Sequence, residues 1–122
     1  MKKFDLDDRL IQFACDIIVL ANNIPKSYAG QTMAKQITRS GTSPALNYAE
    51  AKRAESRRDF VHKLKIALKE TSETRSALRI IKGSKLNTSD EVDRLLNEAD
   101  QLVAIFTTSI NTTKQNMRKQ AS

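Results

Sequence analysis

The sequence predicts an all-α protein, an antiparallel up-down-up-down four-helix bundle, from three observations. Apolar residues recur at steps of three and four in four separate segments, the spacing that keeps them on one face of a helix. The chain has only three glycines and two prolines, and 5% of its residues are aromatic, so turns and strand-forming residues are scarce. Its 122 residues suffice for one domain with one core. We therefore take residues 1–122 as that domain and expect 118–122 to be disordered.

The first helix is predicted over residues 5–23. Asp5 can cap its first turn, and Pro25 prevents it from continuing beyond Ile24. Its main apolar stripe consists of Leu6, Leu10, Phe13, Ala14, Ile17, Ala21 and Ile24. Three further apolar residues lie off this stripe: Ile11, Ile18 and Val19. Because a helix that is apolar over most of its circumference is covered on two sides, this segment predicts contact with a second copy of the chain. Cys15 lies in the same segment, where a free cysteine is typically a small buried hydrophobe.

The second helix, 28–53, contains a conflict at Pro44. Proline removes the amide that would bond to the Ser40 carbonyl, and Gly41 leaves room for a bend. Two short helices joined by a turn are one interpretation. We favour one helix kinked near Pro44, because the apolar spacing continues from Ile37 to Tyr48 without a polar loop.

The third and fourth helices are predicted over 56–82 and 88–117. Ser56 with Asp59, and Thr88 with Glu91, have the spacing of capping boxes. Gly83 is placed to end the third helix. A second, weaker apolar line on the third helix also favours self-association; it consists of Ile66, Ala77 and Ile80.

Positive charge is concentrated in the third helix. The chain has a formal net charge of +7, and residues 52–82 contain ten Lys and Arg against four acids. A polar face repeats Arg58, His62, Lys65 and Lys69 at steps of four, three and four. Such a face is either simply solvated or binds phosphates with little sequence specificity, since few aromatic residues accompany it. The candidate nucleic-acid-binding residues are Arg58, Lys65, Lys69, Arg75 and Arg79, which Lys114, Arg118 and Lys119 could join.

No set of residues predicts catalysis, a metal or a cofactor. His62 is the single histidine and Cys15 the single cysteine, so neither has a partner at ligand spacing. The hydroxyls of Ser40, Thr42 and Ser43 lack a general base, and we expect them to bond backbone groups freed by Pro44. We therefore expect a non-enzymatic protein. The early acidic residues and the lack of a long apolar segment favour a cytoplasmic one without a membrane partner.

Asn47 and Glu50 lie one turn apart among small apolar residues. If they face inward they must be hydrogen-bonded, and Arg39 or Arg53 could supply the charge. The interpretation that we favour is a structural polar cluster of Arg39, Asn47 and Glu50 that sets the register of helices or subunits, with a functional contact as the alternative.

A set of short motifs along nearly the whole chain resembles the bacterial 23S rRNA-intervening sequence proteins, whose relatives include the accessory variability determinant of diversity-generating retroelements. The motifs are Leu10-Ile11-x-Phe13-Ala14, Ile24-Pro25, Gln36-Ile37-x-Arg39-Ser40-Gly41-Thr42-Ser43, Asn47-Tyr48-Ala49-Glu50-Ala51, Ser56-x-x-Asp59-Phe60 and Leu64-x-Ile66-Ala67-x-Lys69-Glu70. The resemblance implies a four-helix bundle, a homopentameric ring and no enzymatic activity. In the retroelement relatives it further implies a reverse transcriptase partner and a basic surface suited to nucleic acid.

Two functional classes follow from these observations. The first is an oligomeric accessory protein that binds RNA or DNA and assists a nucleic-acid enzyme. The second is a structural or protein-scaffolding homo-oligomer whose charge serves solubility or a protein partner.

Overall fold

The computed structural model describes residues 5–121 and shows four α-helices and no strand in that range. They are α1 (Leu6–Asn22), α2 (Tyr28–Ala51), α3 (Arg57–Gly83) and α4 (Asp90–Ala121). The predicted all-α class is therefore confirmed. Residues 118–121, which were expected to be disordered, continue α4 as helix, and Ser122 lies outside the described residues.

The first three helices begin at short polar side chains that accept a backbone N–H of the first turn. The acceptor is Asp5 for α1, Ser27 for α2 and Ser56 for α3, at 2.8, 3.1 and 3.0 Å respectively. In α4 the predicted capping box at Thr88 does not form. The Asn87 carboxamide oxygen instead accepts the backbone N–H of Ser89 at 2.9 Å, and the helix begins at Asp90. This turn centred on an asparagine side chain competes with the cap and shifts the start of the helix.

Helices that follow each other in the chain pack together most extensively, and α1 also contacts α4. The contacts between α1 and α4 run in opposite directions along the two helices. Arg9 of α1 lies 2.6 Å from Glu98 of α4, whereas Asp16, later in α1, lies 2.7 Å from Arg94, earlier in α4. Short connections between the helices are compatible with this order.

α2 passes through Pro44 as a single helix, so the alternative of two short helices is wrong. The bend near Pro44 stays a prediction. The hydroxyl of Thr42, two residues before the proline, donates to the Thr38 carbonyl at 2.8 Å. The Asn47 carboxamide donates to the Ser43 carbonyl at 3.0 Å. Side chains therefore supply one extra hydrogen bond before Pro44 and one that spans it, although neither of these bonds goes to the Ser40 carbonyl.

The core follows the predicted apolar stripes of all four helices. Its largest fully buried side chains are Phe13, Phe106, Leu10, Ile17, Ile37, Leu64, Leu78, Ile81, Leu95, Leu102 and Val92. Two expectations from the sequence are wrong. Ala77, which was placed on an outward line of α3, is 4% exposed and belongs to this core. Cys15, which was expected to be buried, is exposed, because it lies on the outer face of α1.

Four apolar side chains that the sequence singled out remain exposed in the single chain: Ile11, Ile18, Val19 and Ile80. Ile66, from the same prediction, is half-buried. Within residues 5–121, no helix is long and apolar enough to cross a membrane.

Candidate nucleic-acid interface

The predicted basic face of α3 lies on the surface. Arg58, His62, Lys65 and Lys69 are all exposed. Ser56 caps the helix one turn before them, and the apolar stripe on the opposite side of α3 is buried in the core. The helical period therefore turns these four side chains toward solvent together.

Within residues 5–121, seven other bases of the bundle are paired with a carboxylate from another part of the chain. These pairs, each within 3.6 Å, are Arg9–Glu98, Arg39–Glu70, Arg39–Glu73, Lys52–Asp7, Lys63–Glu50, Arg75–Asp100, Lys82–Asp93 and Arg94–Asp16. Arg58, Lys65 and Lys69 form no such pair with any residue from 5 to 121. Their charge is therefore free to act on an approaching anion.

The two other predicted binding residues differ from each other. Arg75 donates to the Asp100 carboxylate of α4 at 3.1 Å, so part of its charge is neutralised within the protein. Arg79 is exposed and, over the described range, has no carboxylate partner. Of the two, Arg79 is better placed to contact a phosphate.

The beginning of α3 and the end of α4 border a partly open pocket of about 350 Å³, which we call the α3–α4 pocket. Its lining consists of Arg58, Val61, His62 and Lys65 from α3 with Lys114 and Met117 from α4. No acidic side chain is among these residues. Val61 is buried and Met117 is half-buried, so the pocket combines apolar walls with several cationic or hydrogen-bonding groups.

Two ammonium groups meet in this pocket. The Lys65 side chain lies within hydrogen-bonding reach of Lys114, and this contact, with the charge repulsion that accompanies it, lowers the pKa of Lys114. The charge of Arg118 acts in the same direction. In other parts of the bundle the pKa of a basic side chain is raised instead. Hydrogen bonds to glutamate carboxylates have this effect on Arg9, Arg39 and Arg94. The pocket is thus a place where cations face one another without a counter-charge.

Lys69 belongs to a different part of the surface. It lines an open groove of about 560 Å³ between α2 and α3, together with Met33, Gln36 and Ile80. The stripe that looked continuous in the sequence is therefore divided: Arg58, His62 and Lys65 border α4, whereas Lys69 borders α2.

The predicted polar cluster of Arg39, Asn47 and Glu50 does not form. Arg39 donates to Glu70 of α3, Asn47 donates to Ser43 within α2, and exposed Glu50 lies 3.6 Å from Lys63. The reason is helical rise: Arg39 and Glu50 are separated by about 16 Å along α2, too far for their side chains to meet. Each side chain instead finds a nearer partner.

The described residues also contain no group of three or more His, Cys, Asp or Glu side chains arranged to hold a metal ion.

Comparison with known proteins bears on the family of this chain. The family model described as 23S rRNA-intervening sequence protein matches residues 2–108. The chain belongs to this family. It is also similar to a solved structure from Bacteroides thetaiotaomicron VPI-5482, a protein with unknown function from the S23 ribosomal protein family. That similarity covers 87% of this chain and 98% of the other, at 33% identity and a TM-score of 0.81. No curated protein shows a significant match.

For this member of the 23S rRNA-intervening sequence protein family, two arrangements were not predicted from the sequence. Arg39 bridges Glu70 and Glu73 at 3.0 Å each, and the Ser40 hydroxyl lies 3.0 Å from that of Thr74. A signal was present, because Glu70 and Thr74 are polar residues at positions where α3 faces the core. Their partners, 31 and 34 residues earlier, could be identified only once the register of α2 against α3 was known.

Proposed function

We propose that this protein is a non-enzymatic, homo-oligomeric accessory protein that binds nucleic acid through the basic surface of α3. The observation on which this rests is that four exposed bases along α3 have no carboxylate partner among residues 5–121: Arg58, Lys65, Lys69 and Arg79. Because no carboxylate of residues 5–121 pairs with these four bases, this part of the surface has an excess of uncompensated positive charge. Such a surface attracts the phosphate backbone.

Phosphate contacts would dominate this binding. The four unpaired bases are long, flexible side chains, and the α3 surface around them is poor in aromatic residues on which bases could stack. We therefore expect little sequence preference and an affinity on the order of 10⁻⁴ to 10⁻⁶ M per subunit at physiological salt. Repetition of the surface in an oligomer would raise the avidity of the assembly.

The apolar outer face of α1 supports the oligomeric part of the proposal. Ile11, Cys15 and Ile18 follow each other at steps of four and three, and all three are exposed in the single chain. A second copy of the chain would remove them from water. Five subunits, and a nucleic-acid enzyme such as a reverse transcriptase as partner, are what the resemblance to the retroelement proteins implies. The name of the family makes ribosomal RNA a natural first probe.

A salt series of fluorescence anisotropy measurements with labelled RNA and DNA tests the binding. We expect binding at low salt that weakens steeply as salt rises, because each neutralised phosphate releases counterions. The variant Arg58→Glu with Lys65→Glu and Lys69→Glu should abolish it while the helical circular dichroism spectrum is kept, since exposed helix positions tolerate charge changes.

A matched control has the same change in net charge at a different place. Lys26, Lys35 and Lys85 are also exposed, and they lie away from the basic face, on or near the α1–α2 and α3–α4 connections. Their triple substitution by glutamate should lower the affinity only modestly. Equal losses of nucleic-acid affinity in the two triple variants would mean that net charge alone governs binding and would contradict the proposed surface.

The same exposed face of α1 also favours the alternative, a scaffolding homo-oligomer without a role in nucleic-acid binding. Absence of binding to both RNA and DNA at low salt, with the oligomer intact, would establish that alternative.

A further inference from the structure

We propose that the α3–α4 pocket binds a dianionic phosphate group, and that its ligand is a phosphomonoester such as the terminal phosphate of a nucleic-acid strand. This inference rests on the proposed function but goes further, because it distinguishes one local site from the general basic surface. The pocket contains Arg58, Lys65 and Lys114, which come from two helices and point into one space.

The first argument is charge. In the folded chain, Lys65 and Lys114 approach each other closely, and Arg118 adds to the positive potential at Lys114. Like charges held together are unfavourable unless an anion lies between them. A phosphodiester supplies one negative charge, whereas a phosphomonoester supplies about 1.5 to 2 at neutral pH and three acceptor oxygens. The monoester therefore matches this group of cations better.

The second argument is shape. At about 350 Å³ the pocket is near the lower end of the range of roughly 300–1,000 Å³ in which proteins bind small molecules. Val61 and Met117 offer apolar contact to the part of a ligand beyond its phosphate. The neighbouring basic residues Lys69 and Arg79 do not line this pocket, so it is a defined site within the larger surface.

The third argument is the absence of competition. None of the side chains that line the pocket is acidic, and the carboxylates of α4 that pair with α3 bases, Asp93 and Asp100, bind Lys82 and Arg75 instead. An incoming phosphate would therefore not have to displace an internal ion pair. The guanidinium group of Arg58 can donate two parallel hydrogen bonds to it, and each ammonium group can donate more.

Two oligonucleotides of identical sequence, one with a 5′-phosphate and one with a 5′-hydroxyl, test the proposal by fluorescence anisotropy with a 3′ label. We expect the phosphorylated strand to bind roughly tenfold more tightly, the effect of a good set of charge-assisted hydrogen bonds. In Lys65→Gln with Lys114→Gln, this ratio should fall to about one. In the control Lys69→Gln, both affinities should fall while the ratio is kept, because Lys69 lies outside the pocket.

His62 supplies a second, local readout. It is the single histidine of the chain and lines the pocket, so its ring gives isolated NMR signals there. A nucleoside 5′-monophosphate should shift these signals and saturate, whereas the uncharged nucleoside should not. Inorganic phosphate that acts as well as the nucleotide would show that the phosphate alone is recognised, and a weaker effect would show that the apolar walls contribute.

The outcomes separate the two proposals. Equal affinity for both strands, with His62 unaffected by the monophosphate, would overturn the pocket and leave the basic surface in place. A saturating effect of the monophosphate on His62 in a protein that binds neither strand would support the pocket and contradict nucleic-acid binding.

Discussion

Gly41 of α2 lies directly against Ile17 of α1. A β-carbon added at Gly41 would lie 2.7 Å from Cγ2 of Ile17, closer than carbon atoms can approach without displacement. Both residues are buried, and Ile17 is 0% exposed. The distance between the two helices at this point therefore depends on the missing side chain at position 41.

Gly41→Ala should lower the free energy of unfolding by about 1–3 kcal/mol, the usual cost of overpacking a core. Urea denaturation followed by circular dichroism measures it. Ile17→Ala removes the atoms in conflict, so the double variant should lose less than the sum of the two single variants. Strict additivity of the two losses would contradict the contact.

Gly83→Ala should raise the free energy of unfolding, the opposite of the effect expected for Gly41→Ala. It therefore serves as a control for replacing a glycine by alanine. A β-carbon at Gly83 would meet no atom within 4 Å, and its φ is not positive. Alanine should stabilise α3 by about 0.4–1 kcal/mol, mainly because it restricts the unfolded chain. A lower thermal midpoint for this variant would contradict the open space around position 83.

Lys85 occupies the left-handed position after α3, with φ of 63°. Its backbone N–H donates to the Lys82 carbonyl at 3.1 Å and closes the end of the helix. Because non-glycine residues in this conformation are strained, Lys85→Gly should stabilise the protein by roughly 0.5–1 kcal/mol. Lys85→Ala is the matched comparison: it removes the same charge without relieving the strain, so its thermal midpoint should stay close to that of the wild type.

Removal of the buried Ser40 hydroxyl and removal of the buried Thr74 hydroxyl should lower the stability of the protein by different amounts. Thr74 also contacts the Glu70 carbonyl, at 2.8 Å, so Ser40→Ala leaves it a partner and should cost at most about 1 kcal/mol. Thr74→Val removes the hydroxyl that the Ser40 hydroxyl contacts and should lower the free energy of unfolding by about 1–3 kcal/mol, since Ser40 is 0% exposed and its hydroxyl cannot turn to water instead. Chemical denaturation of both variants shows which of them loses more stability. A larger loss of stability in Ser40→Ala than in Thr74→Val would contradict these hydrogen-bond partners.

Lys114→Gln should stabilise the protein at low salt without added phosphate, because it removes repulsion with Lys65 and Arg118. The advantage should shrink as salt rises, since exposed charges are screened. It should also depend on pH. The repulsion is fully present at pH values where Lys114 is protonated in both the folded and the unfolded state. It is lost as pH rises from the lowered pKa of Lys114 in the folded state to the ordinary pKa of a lysine in the unfolded state. Thermal melts of the variant and the wild type at several pH values and salt concentrations measure this difference in stability. A difference that changes with neither pH nor salt would contradict charge repulsion as its cause.

The outer face of α1 should control assembly. Multi-angle light scattering at micromolar concentration is expected to give a multiple of the 13.7 kDa chain. Ile11→Glu with Ile18→Glu should reduce that mass, because a buried charge in an apolar interface is costly. Leu46→Glu, at an exposed apolar position on α2, is the control. Dissociation by the control alone would place the interface on α2 instead of α1.

The sequence by itself determined the features that depend on short segments of the chain. The helical period placed Leu10, Ile17 and Leu102 in the core, and the polar residues Asp5 and Ser56 marked two helix starts, because these properties depend on neighbours within one or two turns. The family and the exposed basic face of α3 could also be predicted, since the motifs and the charge excess are properties of short segments.

Only the tertiary structure decided which charges remain without a partner. Arg75 and Lys65 look alike in the sequence, but Arg75 meets Asp100 whereas Lys65 meets Lys114. The contacts of Arg39 with Glu70 and of Arg9 with Glu98 join residues 31 and 89 positions apart. Such contacts depend on how far one helix is displaced along another, and this register follows from the packing of the whole core rather than from the period of any one helix.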